Sequence, residues 1–88
     1  MTDVRANPDK LRELAKKLGN SADQIQQMRS VISKAVAAAD WDDSVRRRFE
    51  EQIAADLKAL ASVAERFRGD YPSLLQRKAQ ALDEFKRA

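Results

Sequence analysis

The chain has 88 residues, 43% of them apolar and 35% charged, with 17 Lys and Arg against 14 Asp and Glu for a net charge of +3. That length suits one domain, and the apolar share is too high for a disordered chain. There is no Cys and no His, which excludes disulfides, thiolate or imidazole metal ligation and His-based proton transfer, and two Gly with two Pro are too few turn formers for an all-β fold.

The N-terminal residues Met1-Thr2-Asp3-Val4-Arg5 turn polar at once, without the apolar core of a secretory leader. No apolar run reaches the length of a bilayer span. The expectation is a protein made in the cytoplasm with no membrane span, any secretion following a route without a cleavable signal peptide.

Asn7-Pro8 opens the first periodic segment, Asn as N-cap and Pro at the first helical position. Leu11, Leu18, Ile25, Ile32 and Ala39 then recur every seventh residue, and Leu14, Ser21, Met28 and Ala35 form a companion series offset by three. Together they predict a helix over about 8–39 with a packing seam along one face. Asp40-Trp41-Asp42-Asp43-Ser44 has turn and capping chemistry, which puts a turn at 40–44 and the cap of a second helix at Asp42, Asp43 or Ser44. Val45, Phe49, Ile53, Leu57, Leu60, Val63 or Ala64, and Phe67 continue in threes and fours, a second helix over about 45–68. Gly69-Asp70-Tyr71-Pro72 interrupts it, and Ser73-x-x-Gln76 reads as a capping box that restarts a helical segment over about 72–86.

The fold class is therefore all-α: a single antiparallel helix-turn-helix hairpin with a break or kink near 69–72. The first helix is roughly 48 Å long and a continuous second one would be roughly 65 Å, so the tail overhangs the first helix or folds back across it. One seam leaves each stripe half covered. Such hairpins pair into four-helix bundles, and a dimer with itself or with a related chain is expected. The seam is assigned to Leu11, Leu18, Ile25, Met28 and Ile32 of the first helix and Ile53, Leu60 and Phe67 of the second.

No catalytic, cofactor or metal site is expected. Asp40, Asp42 and Asp43 lack the spacing of a calcium loop, the two glycines are too far apart for a phosphate cradle, and no Ser has a base partner. Arg46-Arg47-Arg48 is the densest basic cluster. It is either surface pairing, Arg46 with Glu50 and Arg47 with Glu51, or a docking patch for an acidic partner beside Trp41. Nucleic-acid binding would need a longer basic stripe or interleaved aromatic residues. Trp41 either plugs the hairpin end against Phe49 or lines a recognition groove there, and the two roles are compatible.

A long helix, a Trp-x-Gly turn and a second helix with an aromatic residue eight positions after the Trp describe the WXG family, small helical hairpins of type VII secretion. This chain resembles that family over about residues 8–86, with Trp41-Asp42-Asp43 at the turn and Phe49 eight residues on. Two departures stand out: Asp43 replaces the Gly, and the family's Tyr-x-x-x-Asp/Glu export signal is not intact, since Leu75 lies four residues after Tyr71. The resemblance implies a binding protein, not an enzyme. It would dimerise with a like hairpin or an effector's helical domain and present Trp41, Asp43 and Phe49 to the secretion machinery. With a degenerate tail signal, it would supply only the Trp half of the composite signal or escort a larger effector. A structural adaptor completing a larger bundle is the alternative, and a basic nucleic-acid binder a further one.

Overall fold

The computed structural model describes residues 6–87. Helix α1 runs Pro8–Ala38, α2 runs Ser44–Glu65, a π-helical turn follows at Arg66–Asp70, and α3 runs Tyr71–Arg87. Among the described residues there is no strand. Asn7 is extended and its side chain accepts from the N–H of Asp9 at 2.9 Å and of Lys10 at 3.4 Å, with Pro8 at the first helical position. The cap thus takes up backbone donors that no helical carbonyl can reach. At the other end Ala39 turns extended, and residues 39–43 form the link to α2.

The two rods lie side by side and antiparallel. Arg12 pairs with Asp83, Asp23 with Arg68 at 2.8 Å, the Arg29 Nε–H donates to the Leu57 carbonyl at 2.8 Å, and Arg46 reaches the Val36 carbonyl at 3.4 Å. The contacts thus climb α1 as they descend the second rod. The tail neither overhangs nor folds back: α3 lies along the N-terminal half of α1. The length mismatch is absorbed at the turn end, where the extended link climbs to the first turns of α2. The longest dimension, 67 Å, is close to the roughly 65 Å of Ser44–Arg87 alone at 1.5 Å per residue.

The seam is narrow and made of small side chains. Ala15, Ala22, Ala64, Ala79 and Leu82 are its buried apolar members, joined by Pro8 and Pro72. On α1 the inward residues are Leu11, Ala15, Leu18, Ala22, Ile25, Arg29, Ile32 and Val36, in alternating steps of four and three. This corrects the companion series: Leu14, Met28 and Ala35 point out of the seam, and the inward partners are offset by four. Leu11, Leu18, Ile25 and Ile32 are only half-buried, as are Ile53, Leu60 and Phe67 opposite them. Alanine allows close backbone approach, so the larger side chains close over the sides of the seam instead of filling a deep core.

The second rod does not break. Through residues 66–70 the hydrogen bonds step back five residues, and the Tyr71 N–H donates to the Arg66 carbonyl. In an α-helix the Pro72 ring would clash with the Arg68 carbonyl and leave it without a donor. The wider turn relieves that conflict without ending the helix. No new cap forms at Ser73, and the expected restart is a continuation. The inward steps on this rod are Arg46, Glu50, Ile53, Leu57, Leu60, Ala64 and Phe67, then five residues to Pro72, then Leu75, Ala79 and Leu82.

Ala22 is fully buried, so Ala22→Leu must push the rods apart and should cost about 1–3 kcal/mol in urea unfolding. The exposed Gln27→Ala should stay within about 0.5 kcal/mol of wild type. Equal effects from the two changes would show that the seam does not run through Ala22.

Candidate functional site

Trp41 sits in the link, half-buried, with its ring centroid 5.8 Å from that of Phe49 and tilted by 42°. Phe49, one turn into α2, keeps 38% of its surface exposed. The pair covers the end of the rods but leaves an aromatic edge open to solvent. Among the three expected caps it is Asp43 that serves: its Oδ1 accepts from the Arg46 backbone N–H at 3.0 Å. The carboxyl is held below its usual range, first by that hydrogen bond and then by the Trp41 side chain.

The basic cluster divides by role. Arg46 is half-buried and inward; it pairs with Glu50 at 2.6 Å and donates to the carbonyls of Trp41, Ala39 and Val36. It thereby adds a donor to the Val36 and Ala39 carbonyls, which also accept from the backbone N–H groups of Ala39 and Trp41, and reaches the Trp41 carbonyl in the link, strapping the link to α2. Arg47 and Arg48 are exposed and make no ion pair among the described residues; the expected Arg47–Glu51 pair does not form. The strap was missed at the sequence level because its acceptors are backbone groups.

The two flanks of the seam differ in character. Among the described residues, eight large apolar side chains stand exposed: Leu14, Met28, Val31, Val45, Phe49, Tyr71, Leu74 and Phe85. Each sits one residue before an inward position, seven of these occupied by Ala15, Arg29, Ile32, Arg46, Glu50, Pro72 and Leu75 and the eighth being the step after Leu82. In an antiparallel pair the same flank of both helices lies on the same side, so all eight belong to one face. The residues one position after the seam form the opposite face. Arg12 and Asp83 pair across the rods there, and so do Asp23 and Arg68. Gln26, Ser30 and Ser33 line a shallow polar groove with Arg29 on the same side. Of the expected seam residues, Met28 therefore belongs to the outer apolar face, 45% exposed.

The surface area is large for the mass. The chain exposes 7126 Å² at 9.9 kDa, whereas a compact monomer of that size exposes about 5,200 Å². Among the described residues no group of acidic side chains is placed to hold a metal, and no helix is long and apolar enough to cross a membrane. No protein-family model, curated protein or solved structure matches the chain.

The folded chain binds the Asp43 proton more weakly than the unfolded chain, whose carboxyl titrates near 3.8. The stabilisation from this cap is therefore complete above about pH 5 and is lost as the pH falls through the depressed folded value. Asp43→Asn keeps a capping oxygen but cannot titrate. Its urea midpoint should lie below that of wild type at neutral pH, and the gap should close on acidification. A gap that stays constant down to about pH 2.5 would remove the carboxylate from this account.

Proposed function

We propose that this protein works by pairing, laying its single apolar face on the helices of another chain to complete a four-helix bundle. The observation that carries this reading is the placement of all eight exposed large apolar side chains on one side of the antiparallel pair. The surface excess over a compact monomer, roughly 1,900 Å², is of the size that a standard protein–protein interface buries in total. The partner is a second copy, a related hairpin or an effector's helical domain. A nucleic-acid role gains nothing from the polar face, where Arg12 and Arg68 are already tied to aspartates.

The finer reading is a WXG-like secreted protein or secretion partner of a type VII system. It is supported by the Trp41–Phe49 pair at the link and by the Asp43 cap that takes the place of a glycine turn. On this reading Trp41 and Phe49 are the edge offered to the secretion machinery, with Arg47 and Arg48 exposed beside them, and the chain leaves the cell by that route or escorts an effector that does.

Light-scattering mass measurement of the purified chain, alone and with co-expressed products of neighbouring genes, should show a dimer or a stoichiometric complex. The Leu14→Glu, Leu74→Glu, Phe85→Glu triple variant should run as a helical monomer. A well-folded monomer under both conditions would overturn the pairing reading. Trp41→Ala should lose export or effector engagement while remaining helical and paired, and normal export of that variant would end the secretion role of the tryptophan.

A further inference from the structure

The second rod carries two apolar stripes after the π turn, one residue out of step with each other. One is Pro72, Leu75, Ala79 and Leu82, which closes on α1. The other is Tyr71, Leu74, Ala81 and Phe85, of which Tyr71, Leu74 and Phe85 stand 41%, 59% and 76% exposed. An uninterrupted α-helix continuing the steps of α2 from Phe67 would place Tyr71, Leu74, Lys78, Ala81 and Phe85 against α1. The observed helix instead takes five residues from Phe67 to Pro72, and those five span the π turn at Arg66–Asp70.

We infer that the π turn is a one-residue register insert that assigns the two stripes their roles: it turns Pro72, Leu75, Ala79 and Leu82 onto α1 and releases Tyr71, Leu74 and Phe85 to the outer face. Two features hold this choice. In the uninserted register Lys78 would enter the seam beside the small residues of α1, which leaves no room for its ammonium to stay hydrated. Pro72 would also meet the Arg68 carbonyl in α geometry. The insert therefore adds Tyr71, Leu74 and Phe85 to the outer apolar face, where an uninterrupted helix would have drawn them inside. That last consequence, a face completed for docking, rests on the pairing reading; the register assignment does not.

The test uses two full-length deletions and two single cysteines, the chain having no Cys of its own. Both deletions are made in a Pro72→Ala background, where no ring meets a carbonyl in α geometry; deleting Gly69 there removes the extra residue and lets one α-helix run through with Leu75, Ala79 and Leu82 still inward. Helicity and Tm should stay within a few degrees of the Pro72→Ala parent, with solution mass unchanged. Deleting Ala59 from α2, where no insert exists, should lower Tm by about ten degrees or more, because Leu60, Ala64 and Phe67 lose their places. Lys78→Cys should react with a maleimide at least about tenfold faster than Ala79→Cys. If the Gly69 deletion falls as far as the Ala59 deletion, or if Ala79→Cys reacts as fast as Lys78→Cys, the register assignment is wrong whatever the solution mass. A tolerated Gly69 deletion with the expected labelling ratio supports it, and in a monomer that result would leave the register assignment standing while the pairing reading falls.

Discussion

The close approach of two helices along Ala15, Ala22, Ala64 and Ala79 governs the rest of this molecule. Small side chains let the backbones come near, so rods of 31 and more residues can align over their length. The same choice limits what the core contributes. A buried methyl adds roughly 0.8 kcal/mol, where a fully buried Leu or Phe adds about 1.5–3 kcal/mol. Leu11, Leu18, Ile25, Leu57 and Leu60 reach only half burial because the seam is one layer deep. The apolar residues that a thicker core would have taken in are left on one flank. A thin seam and a greasy outer face are thus two sides of one arrangement.

The link at 39–43 shows how a long second rod is joined to a shorter first one without a glycine turn. Ala39 leaves α1 extended, Asp43 is extended as it caps α2, and between them Trp41 folds onto Phe49. Arg46 gathers three carbonyls of the α1 end and the link on one guanidinium while holding Glu50. A lysine would bring a single ammonium to a site built for a fork of donors. Trp41 is accordingly held from both sides, by Asp43 and Phe49 through its ring and by Arg46 through its carbonyl. An aromatic edge fixed in this way loses little further freedom on meeting a partner.

Much of this was legible in the residues. Asn7-Pro8 gave the start of α1 to the residue, the Asp cluster gave the link to within one, and the Trp41–Phe49 contact followed from their spacing. What failed has two causes. The seam was traced through the largest apolar residues, so Leu14 and Met28 were placed inward and Ala15 and Ala22 were passed over. Hydrophobicity ranks Leu above Ala, but packing between close helices ranks them the other way. The interruption at 69–72 was read as a break or a kink, with a restart capped at Ser73, because Pro72 cannot continue an α-helix; that a π turn can carry it depends on a backbone adjustment with no side-chain signature. The outer face became visible only once the seam was placed, since each of its members is defined by lying one residue before an inward position.

The separation of the two faces carries an argument about specificity. Exposed ion pairs such as Asp23–Arg68 contribute little to stability in water, so stability does not explain why the cross-rod pairs all lie on one flank. Their effect is on the alternatives. A flank with Arg12, Asp23, Arg68 and Asp83 in place would have to shed water from charged groups to enter a bundle interior, a cost that Leu14, Met28, Leu74 and Phe85 do not incur. On the pairing reading, the charged pairs therefore favour the orientation that puts Leu14, Met28, Leu74 and Phe85 between the chains. On the pairing reading, keeping the cross-rod ion pairs to one side makes that orientation selective even though the apolar side chains themselves, being non-directional in their attraction, are not.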